Sequence, residues 1–420
     1  MNFRSLYKII YIFFNTKITF KSPKKSDLVI FDVKSLNDAK YFFDRYDFFL
    51  LETRTSILKK IYFSPKVIFH MIKNFYLGNI FTVYLISLID IINPKVVLTK
   101  IDNAIKFSEI AKLRWKNYKF IAIQAAARYD YLYQDYFFKS KKTSTNFNEK
   151  IFIPHFFCFG DYEKEKFKEL NLDIKNFYPI GDLQFSDYLE YKKNNIKINK
   201  KSDICFISDY VHKIFNHAYL GYDSATFKKF NDKNDIRNIN IKLGPLKLLK
   251  YVLRYAKDKN LKLEIPLKRD PILNPDLSKI EIDFFKENLS TKEFQYFKEC
   301  VIVKNRAKYT SLESVFNSKV VVGWASTLLR NKIGIGGKAL SCNFIKDKLY
   351  DFPIKGICHL EDCSYQEFDS RMNEIIKISE KEFQKKIDKE TGYVMKFNEH
   401  ISTSDVLAKK ISEFGVHKKA

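Results

Sequence analysis

What most restricts this chain is the alternation of short, wholly apolar runs with longer helix-patterned stretches, broken once by a polar segment. The runs "DLVIFDV" (27–33), "DFFLLETR" (47–54), "KVVLTKID" (95–102) and "KFIAIQAAAR" (119–128) each hold three or more consecutive apolar residues. A run without polar alternation buries both faces. These are therefore expected as interior strands of a parallel sheet, covered by the helices that connect them. The rhythm stops at "YKKNNIKINKKSD" (191–203), which is Lys- and Asn-rich and mostly without periodicity, and reads as a linker. It then restarts with "SDICFISDY" (202–210), "LKLEIPLKR" (261–269), "CVIVKNR" (300–306) and "VVVGWASTLL" (320–329).

The expected fold class is α/β, with two Rossmann-like lobes joined once and a site in the cleft between them. The boundaries read as an N-terminal helix over 1–24, a first domain over 25–195, a second over 202–375 and charged C-terminal helices over 376–420. In parallel sheets ligands bind beyond the carboxyl ends of the strands, so the informative residues should follow each run. After the first-half runs come Asp32, Glu52, Asp102, Asn103, Gln124, Arg128 and Asp130. After the second-half runs come Ser208, Lys268, Arg269, Asn305, Arg306, Ser326, Thr327 and Arg330. One half thus offers carboxylates and amides, the other hydroxyls and cations. That asymmetry suits a transferase that holds a phosphorylated donor in one lobe and deprotonates an acceptor hydroxyl with the other. Ser326 and Thr327 stand at the start of a helix after a valine run, where free N–H groups and the helix dipole favour an anion. Ordinary capping by Ser326 would use the same residues.

Charge adds less than its size suggests. The excess of 74 Lys and Arg over 49 Asp and Glu, a formal +25, accompanies abundant Ile, Phe and Tyr and sparse Gly and Pro, a composition that coding bias alone produces. Nucleic acid is not an expected partner. Other chemistries are excluded by their missing signatures: no G-x-G-x-x-G follows the first run, and there is no P-loop, G-x-S-x-G elbow or H-E-x-x-H helix. "GIGGK" (334–338) follows a helix and precedes a strand, the reverse of a phosphate loop. No metal site and no cofactor are expected. His155 reads as a packed strand residue rather than a base. Cys158, Cys205, Cys300, Cys342, Cys358 and Cys363 show no paired spacing and sit mostly in apolar runs, as buried free thiols do. No leader or spanning segment is recognised, and a cytoplasmic protein is expected. The first helix, with Arg4, Lys8 and Lys17 among Tyr, Phe and Ile, suits either peripheral contact with anionic lipid or packing on the second domain.

Several segments taken together resemble the bacterial surface carbohydrate biosynthesis proteins, glycosyltransferases of the GT-B type near the capsule and lipopolysaccharide transferases. They are "IDNAIKFSEIAK" (101–112), "KFIAIQAAARYDY" (119–131), "FIPHFFCFGDYEKEKFKE" (152–169), "FYPIGDLQFSDYLEYKK" (177–193), "SDICFIS" (202–208) and "VVVGWASTLLRNKIGIGGKALSCNF" (320–344). The resemblance implies a metal-independent transferase that uses a nucleotide sugar as substrate and a lipid- or saccharide-linked acceptor at the inner face of the membrane. It places Ser326, Thr327 and Arg330 near the donor phosphates, and Gln124 and Arg128 toward the cleft. Asp102 or Asp32 would be the catalytic carboxylate, with Asp130 and Glu52 as further candidates. Two positions depart from the family pattern: Ala125–Ala127 where a Gly tends to follow the Gln, and Asn331 where an acidic residue holds a donor ribose. Transfer of a polyol phosphate and non-catalytic binding of an anionic polymer remain the alternatives.

Overall fold

The computed structural model describes residues 16–53, 60–130, 151–170, 172–194, 202–208, 210, 236–268, 275–302, 310–398 and 401–419. These divide into two compact units. One takes the described residues within 1–126, 136–190 and 397–420; the other takes those within 127–135 and 191–396.

The first unit contains strands β1 (Lys17–Thr19), β2 (Leu28–Phe31), β3 (Phe49–Leu51), β4 (Lys60–Tyr62), β5 (Val96–Thr99), β6 (Lys119–Ile123), β7 (Phe152–Cys158) and β8 (Asp173–Pro179). Six of them form one sheet in the order β3-β2-β5-β6-β7-β8, and every pairing in it is parallel. All four residues of β2 and of β5 are buried, as both-face burial requires. The helix Ile80–Ile92 shows the same logic: its sequence IFTVYLISLIDII is apolar all round, and ten of its thirteen residues are buried. Thirteen residues is too short to span a bilayer, and no described helix is long and apolar enough to do so.

The second unit repeats the plan with β9 (Ser202–Phe206), β10 (Leu263–Glu264), β11 (Ser318–Gly323), β12 (Lys338–Asn343) and β13 (His359–Glu361), ordered β10-β9-β11-β12-β13 and again all parallel. In both sheets the first strand is flanked by the second on one side and the third on the other. The connection reverses direction at that point, between β2 and β5 in one unit and between β9 and β11 in the other. The architecture is α/β with two doubly wound, Rossmann-like sheets.

Three expectations need correction. The N-terminal helix expected over 1–24 does not extend through its end: Lys17–Thr19 is a strand, paired in parallel with Lys60–Tyr62. Its β-branched Ile18 and Thr19 favour the ladder, and Phe20 packs edge-on against Phe63 at 6.4 Å. Residues 1–15 lie outside the described residues. The run 300–306 contributes only a single bridge, Val301 to Ile265, before its remainder leaves the described residues.

Third, the C-terminal helices do not form one block. Of those expected over 376–420, Glu380–Lys385 belongs to the second unit, with Tyr365–Lys377 before it, whereas Thr403–Glu413 belongs to the first. Its Leu407 and Ile411, one turn apart, are fully buried in a cluster with Phe42, Phe43 and Leu183. Burial of each contributes roughly 1.5–3 kcal/mol. Thr403 Oγ1 donates to the Ile180 carbonyl at 2.6 Å, and Ser404 Oγ lies 3.2 Å from Ser186 Oγ, which sets the helix on that core.

Candidate functional site

At the first unit's reversal point two buried carboxylates follow adjacent strands. Asp32 ends β2, and Asp102 comes three residues after β5; each is 3% exposed. Asp32 takes a φ of 86°, a left-handed backbone that Asp tolerates better than most side chains. The turn is held from both sides. The Asp32 N–H donates to the Leu51 carbonyl at 2.9 Å, and its own carbonyl accepts from the Ser35 N–H at 3.1 Å. Its Oδ2 accepts from Thr53 Oγ1 at 3.0 Å. Asp102 Oδ1 accepts a long bond from the Ala125 N–H, 3.4 Å.

Between them in sequence lies Lys100, which directly follows β5 and which the run 95–102 includes within the strand. Its side chain is 1% exposed and its Nζ is buried with no hydrogen-bond partner among the described residues. The Lys100 N–H itself is fixed by Ser35 Oγ at 2.7 Å. A buried ammonium without a partner carries a desolvation cost that an anion seated beside it would offset.

The other first-unit candidates are placed differently. Glu52 is half-buried and accepts from the Lys60 N–H at 3.1 Å; Asn103 is half-buried beside Asp102. Gln124 is fully buried and its amide is engaged on every side. Nε2 donates to the Ala126 carbonyl at 3.0 Å and to Glu163 Oε1 at 3.1 Å, while Oε1 accepts from the Phe159 N–H at 2.8 Å. Gln124 thus ties the end of β6 to the turn after β7. Ala125, Ala126 and Ala127 all have negative φ, so no glycine-like turn is made there.

Arg128 and Asp130, expected in the first domain, belong to the second unit, where both are half-buried. The reason is a set of contacts from residues 127–129 to the helix Thr327–Gly334. The Ala127 N–H donates to Thr327 Oγ1 at 2.9 Å, and the Arg128 carbonyl accepts from Arg330 Nη2. Tyr129 Oη donates to the Ser326 carbonyl at 3.4 Å, with the Arg330 guanidinium 5.1 Å from the Tyr129 ring centre. Arg330 is fully buried in this arrangement, as is Asn331. Ser326 caps the helix, its Oγ accepting from the Leu328 N–H at 3.3 Å. The helix start after β11 is therefore occupied by the chain's own 127–129 segment at Thr327 and Arg330. Gly336 closes the helix with a φ of 81°, which a side chain would strain.

Across that reversal point, Ser208 follows β9 and is buried. Its Oγ donates to Glu281 Oε1, and the Lys268 N–H donates to both Glu281 oxygens at 3.2 and 3.1 Å. Glu281 is fully buried in the helix Pro275–Asn288. It clamps the backbone after β10 and leaves the Lys268 side chain exposed. Sequence reasoning missed it, although a signal was there: Ser278, Glu281 and Phe285, all buried, share one helical stripe. Arg269, Asn305 and Arg306 lie outside the described residues.

A further polar cluster joins β12 to β13. Asn343 Nδ2 donates to Asp351 Oδ1 at 2.7 Å, Lys355 pairs with Asp351, and His359 Nε2 lies 3.4 Å from Asp351. Burial works against ionising Asp351, but hydrogen bonds from His359, Lys355 and Asn343 outweigh it and hold the carboxyl well below its usual range. Among the described residues no group of three His, Cys, Asp or Glu is placed to hold a metal ion. All six cysteines are buried and free.

His155, on β7, is half-buried with Nδ1 3.1 Å from Tyr178 Oη and its ring 4.9 Å from Phe414. Burial first, then Lys410 and Lys119, push its pKa down from 6.5 to about 4. The unfolded chain therefore takes up this proton first. The stability concerned is complete above pH 6.5 and is lost as pH falls from 6.5 through 4. After discounting for partial exposure the loss is about 1–2 kcal/mol. Melting temperature should fall across that window and fall less in His155→Gln. The Asp351 carboxylate, held below its usual range, keeps its full contribution above about pH 4, the unfolded value for Asp, and loses it only as pH falls below that, so the two effects separate in a pH series.

No protein-family model matches the chain, and no curated protein matches it. Solved structures do superpose over nearly its whole length. UDP-GlcNAc 2-epimerase from Neisseria meningitidis, bound to UDP-GlcNAc, is 11% identical with a TM-score of 0.45, over 92% of this chain and 99% of that one. MnaA of S. aureus with UDP is 9% identical with a TM-score of 0.48, over 92% and 96%. The wall teichoic acid polymerase TagF is 10% identical with a TM-score of 0.43, over 98% and 97%. Likenesses this distant say nothing about this chain's chemistry.

Proposed function

We propose that the chain is a GT-B-like transferase that moves a sugar from a nucleotide-activated donor to a growing surface polysaccharide or lipopolysaccharide. The observation that carries this reading is the unequal chemistry of two like sheets. One reversal point holds the buried carboxylates Asp32 and Asp102 with Lys100, whose ammonium has no hydrogen-bond partner among the described residues. The other holds Ser208, the buried Glu281 and the exposed side chain of Lys268. In this reading Asp102 takes the proton of the attacking acceptor hydroxyl, and Asp32, engaged by Thr53, orders the turn beside it. Lys100 meets an anionic oxygen of the acceptor. In the second unit Glu281 fixes the segment from which Lys268 reaches the donor phosphates, where positive charge stabilises the leaving group. Arg330 supports the site through Arg128 and Tyr129 rather than touching the nucleotide.

The test is thermal stabilisation by CMP-, UDP-, GDP-, CDP- and dTDP-linked compounds, followed by mass spectrometry of the products. A ligand at about 100 times its Kd stabilises by roughly 2.7 kcal/mol. One nucleotide class should shift the melt selectively, and the shift should shrink in Lys268→Ala. A product carrying a polyol phosphate would change the transferred group, and recovery of the donor as its epimer would replace transfer by isomerisation. No shift with any nucleotide, together with steeply salt-dependent binding of polyanions, would leave the binding-protein reading standing instead.

A further inference from the structure

Apolar side chains that face solvent are concentrated in one stretch of the first unit. Phe20, Phe69, Ile72, Phe75, Tyr76 and Ile80 are each between 65% and 78% exposed. Four of them come from the helix Pro65–Lys73 and the single 3-10 turn Phe75–Leu77 that follows it. That helix is well made, with Ser64 as N-cap and Pro65 at its first position, yet Val67 is its only buried residue. Its apolar stripe points outward. Phe63, which leads into the helix, packs on Phe20 of the β1 segment at 6.4 Å, and Ser22 Oγ lies 2.8 Å from Ser64 Oγ, so the two parts of the surface are joined.

The surface stands on a fixed base. Asn74, buried at the end of the helix, donates to Asp90 Oδ2 at 3.0 Å and accepts from Arg114 Nη2 at 2.9 Å, and Arg114 pairs with Asp90 at 3.0 Å. Six large side chains at this exposure amount to roughly 600 Å² or more of apolar area, at or above the largest patch usual on a monomer. Folding alone does not explain an outward face of this kind, because no core is gained by it.

Charge identifies the occupant. From residue 53 to residue 89 the chain contains no Asp or Glu. Lys60, Lys66 and Lys73 are exposed within that stretch, and Lys17 and Lys21 flank Phe20. A second copy of this chain seated symmetrically would bring these lysines together with no carboxylate of the stretch to pair them. Lysine is also depleted at protein interfaces. Aromatic and aliphatic side chains ringed by lysines match the boundary of an anionic bilayer, where the apolar groups enter the acyl region and the ammonium groups stay with the lipid phosphates.

We propose that the face formed by Phe20, Phe69, Ile72, Phe75 and Tyr76 docks on an anionic lipid bilayer. It needs no spanning helix and does not depend on the transfer reaction proposed above. The experiment is flotation of the full chain with phosphatidylcholine vesicles, with and without 30 mol% (about one lipid in three) phosphatidylglycerol. Binding to the anionic vesicles should be at least about tenfold tighter, and should weaken as salt rises. The triple variant Phe69→Ser, Ile72→Ser, Phe75→Ser should lose about tenfold or more on anionic vesicles, with its melt retained because the three side chains are exposed. A second variant, Lys60→Ala with Lys66→Ala and Lys73→Ala, should bind more weakly and lose much of the salt dependence. A Phe69→Trp reporter should shift its emission to the blue on anionic vesicles only. Equal flotation of the triple variant and the unaltered chain would overturn the proposal. So would absence of vesicle binding with a dimer that the triple variant dissociates, since a second copy would then be the occupant.

Discussion

Asp102→Asn is expected to lower turnover by about 10²- to 10⁴-fold, the usual contribution of a general base, while nucleotide-dependent stabilisation stays within error of the unaltered chain. The substitution removes the ability to take a proton without changing size. Asn Oδ1 still accepts from the Ala125 N–H, and the site stays buried. The nucleotide is assigned to a different unit, so donor affinity should not move. Asp32→Asn separates the two carboxylates. Asp32 already accepts from Thr53, and its φ of 86° is one that Asn tolerates as well as Asp, so the change should cost less turnover than at Asp102. Single-turnover rates with the donor identified in the thermal panel give the comparison. Full activity of Asp102→Asn would remove it as the base and pass the role to Asp32.

Lys100→Met is expected to make the ligand-free protein more stable, by about 1–4 kcal/mol in urea unfolding. The direction is unusual for a change at a buried position. Removing a well-paired buried lysine leaves its partner uncompensated and destabilises. Here no partner reaches Nζ among the described residues, so methionine, with nearly the same length, deletes a desolvation cost and keeps the packing. The same variant should lose acceptor binding by at least about tenfold, because the anion then meets no charge. A stability gain paired with a functional loss is the mark of a group retained for its ligand. Lys100→Met destabilising by 2 kcal/mol or so would mean that the ammonium serves the fold and not the acceptor.

How far the placement of these residues was legible from the chain depends on the range of the forces concerned. Residues such as 28–31, 96–99, 202–206 and 318–323 are strands because runs without polar alternation bury both faces, and that requirement is local. Asp32, Asp102, Ser208 and Ser326 were legible for a related reason: a parallel sheet presents its carboxyl ends, and the first polar residue after a run is found by reading alone. The Ser326 cap and the Gly336 stop are likewise short-range.

Other features required the tertiary structure. Glu281, Glu163 and Lys100 are charged residues whose burial depends on elements distant in sequence, and no local pattern marks a charge as enclosed. Arg330 looked like an anion ligand until contacts 202 residues away placed it against the Arg128 carbonyl and the Tyr129 ring. Residues 127–130 and 403–413 changed units because packing partners, and not sequence neighbours, decide where a segment belongs. The helix Pro65–Lys73 is the clearest case. An apolar stripe has the same spacing whether it faces a core or the solvent, so its sequence determined that an amphipathic helix would form. Only the fold, in which no described residue forms a second layer above Phe69 and Ile72, decided that the stripe would face outward.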